Sequence, residues 1–199
     1  MSDVEKVLER GPQAPAGEAA RLARAVAERA AADGEAFAYA SVESPFGPLL
    51  AARGPQGLVR LAFPEEEVDG VLGDLCSRVT PRLVEAPGAL DPVRRELEEY
   101  FAGRRQDFET PIDWRLVAPF GRRVLAAAVA IPYGSTLTYT EVAALAGSPR
   151  GSRAAGNALG ANPIPIVVPC HRVLRRGGAL GGYAGGLERK RYLLDLETV

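Results

Sequence analysis

LTYTEVAALAGSPRGSRAAGNALGANP, residues 137–163, decides how the C-terminal half of this chain is built. The pattern predicts a short helix over about 139–146, a turn holding Gly147, Ser148 and Pro149, and a second helix over about 151–160. Two short helices around a glycine-containing turn in a basic segment fit a helix-turn-helix, and equally an ordinary helical hairpin. The second helix holds little larger than alanine apart from Arg153, Asn157 and Leu159. A helix reading base edges in a major groove needs long polar side chains. Small residues suit close approach to a narrow minor groove with a single inserted side chain; they suit close packing in a core as well.

Upstream, Phe120, Val124, Ala127, Ala128 and Ile131 recur at helical spacing, and Pro132 and Gly134 stop that helix. Before the linker FETPIDWRLV lies an α+β unit. Three short antiparallel strands are predicted at about 37–43, 47–52 and 57–63, divided by the turn residues of SPFG and RGPQG. A helix over about 65–79, an extended piece near Arg82–Glu85 and a helix over about 91–102 follow, the last with Asp91 as N-cap and Pro92 at N1. Residues 18–32 read as an alanine-rich helix whose apolar face, Leu22 and Val26, is thin, hence a loosely docked appendage. The expected division is an extension over 1–35, an α+β domain over 36–110 and a helical domain over 115–199.

Composition narrows the function. The 199 residues are 47% hydrophobic, enough for a real core, and no apolar run approaches the length that spans a bilayer. The charged start, MSDVEKVLER, lacks the apolar stretch of a secretory signal, so the cytoplasm is the expected address and no membrane partner is expected. Two distant cysteines, Cys76 and Cys170, cannot make a disulfide framework, and with one histidine they speak against a metal site. The net charge of −1 hides a division: residues 115–192 carry eleven basic side chains and two acidic ones, a balance of +9, leaving −10 for the remainder. A basic C-terminal part is the footprint of a surface that faces phosphates.

Downstream of the helix pair, NPIPIVV is an apolar run broken by Pro163, Pro165 and Pro169, so it is a stiff buried segment rather than a central strand. It delivers Cys170, followed by the chain's only histidine, His171, and by Arg172. A cysteine in an apolar run is commonly inert, but a neighbouring base is what turns a thiol into a nucleophile. CHRVLRR also fits the Cys-x5-Arg spacing of cysteine phosphatases, with Cys170 and Arg176, but HRVLR has no glycine to wrap amides round a phosphate. A papain-type hydrolase draws base and nucleophile from separate segments. The glycines flanking Tyr183 can bring backbone against a planar ligand, or form a surface loop.

PCHRV, preceded by NPIPIVV and followed by GGYAGGLERKRYLL, resembles the active-site region of the O6-alkylguanine-DNA alkyltransferases, and LTYTEVAALAG with SRAAGNALGANP resembles that family's helix-turn-helix. The resemblance is dense over about 115–197 and looser from about residue 36. It implies an α+β protein, a small N-terminal antiparallel-sheet domain followed by a mainly helical domain with a winged helix-turn-helix-like motif. It implies DNA repair without cofactor or metal, by single-turnover transfer of the alkyl group from O6-alkylguanine, less readily O4-alkylthymine, in double-stranded DNA.

By resemblance, Cys170 is the acceptor, His171 the base acting through a water, Glu197 the acid orienting it, and Tyr139 the phenol donating to the guanine ring. Arg153 enters the base stack of a flipped lesion. Arg150, Ala154, Gly156 and Asn157 join it at the DNA, in the minor groove. Asn162, Val173, Tyr183 and Ala184 belong to the pocket, Asn162 pinning the turn before it, the Ala184 N–H donating to O6, and Arg172 is structural, bonded to nearby carbonyls. A monomer is expected, with Cys76 a buried or half-buried bystander. The rival is a protein that binds alkylated DNA without chemistry.

Overall fold

The computed structural model describes residues 16–33 and 36–198; the expectation for the first part of the extension lies outside them. Phe37–Val42 (β1), Leu49–Gly54 (β2) and Gly57–Ala62 (β3), each buried at most of its positions, pair as an antiparallel meander. Leu83–Glu85 (β4) then pairs parallel to β1, giving the order β3-β2-β1-β4, so the sheet is mixed and not purely antiparallel. The parallel pairing follows from the crossover helix Val68–Arg78 (α2), which returns the chain to the β1 edge in the same direction. Gly57 stands at φ +127°, where a Cβ would strike the Pro111 carbonyl; its neighbour Leu58 exchanges backbone hydrogen bonds with Pro111 and Asp113, on either side of Ile112 within the linker.

Helix Ala16–Ala32 (α1) lies beside β4. Leu22 and Val26 remain 67% and 62% exposed, so the thin apolar face adds little to the docking. Contact comes from Ala31 and from Glu28, which accepts the Gly88 N–H at 3.1 Å. Helix Asp91–Phe101 (α3) is preceded by a 3-10 turn over Pro87–Leu90. Asp91 is therefore its first helical residue rather than its N-cap, and its carboxylate holds Arg94 instead of a backbone N–H. Cys76 is exposed on α2, contrary to expectation, because α2 buries only Val71 and Leu75.

Pro119 opens helix Pro119–Val129 (α4), where its missing N–H costs nothing. Against α4 pack Tyr139–Leu145 (α5) and Ser152–Gly160 (α6), the two predicted short helices. A capping box starts α5: Thr138 accepts from the Glu141 N–H while Glu141 accepts from the Thr138 N–H. Gly147, at φ +78°, ends it, with Ser148 N–H reaching back to the Ala143 carbonyl. On α6, Ala155 and Leu159 face the core while Arg153, Ala154 and Asn157 face water. Its small residues thus serve both packing and an open outer face. Leu137–Thr138 (β5) pairs parallel to Val173–Leu174 (β6), and Leu187–Glu197 (α7) closes the fold.

The main apolar cluster runs from β1 through α3, α4 and α5 to Ile164, Val168 and Leu193. Backbone bonds cross between the halves too: the Pro163 carbonyl accepts the Leu61 N–H at 2.9 Å and the Arg60 guanidinium at 3.1 Å. The sheet thereby holds the segment that delivers Cys170. Among the described residues no helix is long and apolar enough to cross a membrane.

Candidate active site

Residues 162–169 are all buried, as the proline-broken apolar run predicts. Ile166 adopts φ 75°, a left-handed backbone that costs a β-branched residue of order 1–3 kcal/mol. The Val168 N–H to Ile164 carbonyl bond, at 2.9 Å, closes the loop around it. Asn162 fastens the same loop: its Oδ1 accepts the Ile164 N–H at 3.0 Å and its Nδ2 donates to the Val168 carbonyl at 2.9 Å. That amide also reaches Cys170 Sγ at 3.2 Å. Asn162 therefore touches the sulfur as well as pinning the turn. Burial pushes the Cys170 thiol up, and the Asn162 amide opposes that shift by favouring the thiolate.

Cys170–Arg172 form a 3-10 turn that carries His171 and Arg172 inward, away from the cleft. His171 is fully buried and its Nε2 lies 2.8 Å from Glu197 Oε1. A carboxylate only accepts, so Nε2 carries the hydrogen and Nδ1 keeps its lone pair. Nδ1 is buried and has no partner among the described residues. Burial holds the imidazole below its ordinary pKa, with Glu197 opposing.

Glu197 is the hub of a network that sequence reading saw only in part. Arg172 reaches its carboxylate at 2.8 and 3.0 Å and gives Nη1 to the Ile131 carbonyl at 2.6 Å. Arg172 is thus an ion-pair partner of Glu197 more than a binder of carbonyls. Tyr100 donates to Oε1 at 2.7 Å and the Gly134 N–H reaches Oε2 at 3.3 Å. Burial alone would raise the Glu197 pKa, but the His171 and Arg172 bonds outweigh it and bring it down to about 2.

Cys170 opens on a cleft of about 650 Å³ lined also by Tyr139, Arg153, Gly156, Tyr183 and Ala184. The Tyr139 hydroxyl points at the Gly182 carbonyl, 3.4 Å away, and its ring lies against Gly156. Gly181, at φ +68°, leaves room for that hydroxyl; a Cβ there would stand 2.7 Å from it. Val173, expected in the pocket, is fully buried in β6 and lines no part of the cleft, since its side chain turns into the core. Asn162 lies behind Cys170 for the same reason, the run 162–169 being wholly internal. Arg150, Arg153, Ala154 and Asn157 are exposed, Arg153 at the cleft and the other three outside its lining.

Lys190 was not legible as a site residue. Its ammonium is buried and donates to the carbonyls of Val173 at 2.6 Å, Leu180 and Gly182 at 3.3 Å, tying the glycine loop to the strand after Cys170. Burial lowers its pKa to about 8, with the Cys170 charge opposing. The LERKRYLL pattern offers a Lys among Arg residues on one short helix, with nothing to single it out.

Residues 37–114 match the family described as 6-O-methylguanine DNA methyltransferase, ribonuclease-like domain, and residues 119–199 match its DNA binding domain. A methylated-DNA–protein-cysteine methyltransferase of Mycobacterium tuberculosis is 42% identical over 161 residues, covering 80% of this chain and 91% of that protein. The constitutive methylated-DNA–protein-cysteine methyltransferase of Bacillus subtilis is 38% identical over 165 residues, covering 81% and 95%. The crystal structure of Mycobacterium tuberculosis OGT in complex with DNA matches with a TM-score of 0.71 at 40% identity, covering 81% of this chain and 92% of that one. These proteins are named for transfer to a cysteine, and by sequence, fold and the thiol in its cleft this chain belongs to the methylated-DNA–protein-cysteine methyltransferase family.

Proposed function

We propose that this family member repairs double-stranded DNA in the cytoplasm by moving the alkyl group of O6-alkylguanine, and less readily of O4-alkylthymine, irreversibly onto Cys170. It acts as a monomer, with residues 36–110 as scaffold and 115–199 as the reacting, DNA-facing part. The observation that carries the reading is the pairing of a thiol facing a cleft with an adjacent imidazole whose Nε2 is fixed by Glu197 and whose Nδ1 has no partner among the described residues. His171 Nδ1 takes the Cys170 proton through a water. The sulfur attacks the alkyl carbon, the S–C bond forms, and the C–O6 bond breaks with its electron pair going to guanine. Tyr139 supplies a proton to the ring nitrogen, so guanine leaves as a neutral base, and the proton held by His171 restores the phenol by way of solvent. The Ala184 N–H, which takes no acceptor among the described residues, faces O6 from the loop.

To reach Cys170 the nucleotide must leave the base stack, at a cost of a few kcal/mol. Arg153 fills the gap from α6, approaching through the minor groove, where Ala154 and Gly156 let the helix lie close, with Asn157 and Arg150 beside it. Incubation with O6-methylguanine duplex followed by intact-mass measurement tests the reading. The wild type gains one methyl and stops at one equivalent, and Cys170→Ala gains none. Binding without labelling would mean a lesion-binding protein, and labelling of Cys170→Ala would place the acceptor elsewhere.

A further inference from the structure

Arg60, Arg78, Arg94, Arg105, Arg115, Arg172 and Arg189 each hold a carboxylate. The cleft in front of Cys170 is different. Among the described residues its lining contains three arginines, Arg153, Arg175 and Arg176, and no acidic residue. All three are exposed, and among the described residues none has a carboxylate partner or a side-chain hydrogen bond. Arg153 already has a place on α6. Arg175 and Arg176 come from another segment and take no part in the alkyl transfer derived above.

Their placement is built. The β5–β6 register sets Thr138 beside Leu174, so the next residues on the two strands, Tyr139 and Arg175, leave the ladder side by side. Immediately afterwards the chain makes a tight turn: the Gly178 N–H bonds the Arg175 carbonyl at 3.1 Å, and the Arg175 N–H bonds the Ala179 carbonyl at 2.7 Å. Gly177 and Gly178, at φ +81° and +83°, allow that bend. Two guanidinium groups are thus presented on a short hydrogen-bonded turn at the cleft's edge. The positive charge of Arg175 is felt at the Tyr139 phenol, where it opposes the upward shift caused by burial.

We propose that Arg175 and Arg176 form a phosphate-binding arm that grips the backbone of the lesion strand next to the flipped nucleotide, on a segment separate from the Arg153 helix. The proposal rests on the DNA-repair reading above. Guanidinium forks bind phosphate oxygens in pairs, and a nucleotide drawn towards Cys170 carries its flanking phosphates to the cleft's edge, where these two side chains stand. Such an arm separates a lesion in a strand from the free base, which has no phosphate to hold.

The test compares wild type with Arg175→Ala/Arg176→Ala on O6-methylguanine duplex and on free O6-benzylguanine. The double substitution is expected to slow transfer from DNA by about tenfold more than transfer from the free base, and to flatten the log–log salt dependence by about 2, one unit per lost phosphate contact. Arg175→Lys/Arg176→Lys restores most of the salt dependence. Replacing the phosphates flanking the lesion by neutral methylphosphonates slows the wild type but adds little to the alanine variant's loss. An unchanged salt slope, or the same methylphosphonate penalty in both proteins, overturns the arm. Inorganic phosphate as competitor separates a free-anion site, which it would block at millimolar level, from a strand-borne one. A wild type that takes no alkyl group from either substrate refutes the repair reading itself.

Discussion

Arg172 grips Glu197 through a two-point fork, Nε to Oε2 at 2.8 Å and Nη2 to Oε1 at 3.0 Å, with both side chains almost wholly out of water. A charge buried there is tolerable only because its partners are complete: His171, Tyr100 and the Gly134 N–H use the remaining acceptor positions. The fork fixes the carboxylate, the carboxylate fixes the His171 ring, and the ring's Nδ1 is left as the base. The residue following the nucleophile's histidine thereby sets the tautomer of that histidine.

Glu197→Gln removes the countercharge of Arg172 and offers His171 an amide in place of a carboxylate. Breaking a buried pair from one side costs about 3–5 kcal/mol, read as a lower urea midpoint. Alkyl transfer to Cys170 is expected to slow by about 10²-fold or more, the scale of a misplaced general base. Single-turnover labelling with O6-benzylguanine measures it, and an undiminished rate would remove Glu197 from the chemistry.

Acid lowers stability in two stages. His171 is held below its ordinary pKa by burial, so below about pH 6.5 the unfolded chain takes up a proton that the folded one does not, and stability falls. Glu197 is depressed from 4.5 to about 2, so its contribution is complete above about pH 4.5 and disappears as pH falls through about 2. Urea unfolding at a series of pH values should show the first decline in wild type and in Glu197→Gln, and the second in wild type alone. A stability that rises on acidification would contradict both assignments.

Much of this was readable along the chain, and what was not has a common cause. The helix pair shows in its Gly147 turn and in small residues at close spacing, and PCHRV places thiol and imidazole side by side, because both are local features. Tyr100 and Glu197 stand 97 positions apart, and Lys190 meets carbonyls 8 to 17 residues away. No periodicity encodes such contacts. The pairing of β4 with β1 depends likewise on where α2 returns the chain, and three residues carry too little pattern to choose a parallel partner. The Glu197 partner of Arg172 is not legible either, because it sits in the last turn of α7, which the sequence separates from Arg172 by the whole glycine loop.

Lys190→Met removes the donor shared by the carbonyls of Val173, Leu180 and Gly182; the Val173 carbonyl is buried, and a buried acceptor left bare costs about 1–3 kcal/mol. The loop bearing Tyr183 and Ala184 then loses its tie to the strand after Cys170. Free O6-benzylguanine and alkylated duplex both need that loop, so both are expected to react more slowly, by similar factors. Proteolysis within residues 177–186 should quicken in parallel. A defect confined to the DNA substrate would show that Lys190 acts on the strand and not on the loop.

Arg153 separates the steps that Lys190 joins. It is exposed, unpaired among the described residues, and stands on the outer face of α6 at the mouth of the cleft, while Ala155 and Leu159 of the same helix are buried. Its removal leaves the packing of α6 and the contacts of Cys170 as they are. If it fills the stack vacated by a flipped nucleotide, Arg153→Ala forfeits part of what offsets a flipping cost of a few kcal/mol. Each 1.4 kcal/mol so lost is about a factor of ten in rate. Transfer from O6-methylguanine duplex is therefore expected to fall by about ten- to a hundredfold more than transfer from free O6-benzylguanine, which needs no flipping. The deficit should shrink when the lesion faces a mismatched base or lies in a single strand, since less stacking and pairing are then broken. Equal losses on free base and duplex, or a deficit indifferent to mismatch, would assign Arg153 to the pocket rather than to extrusion of the base.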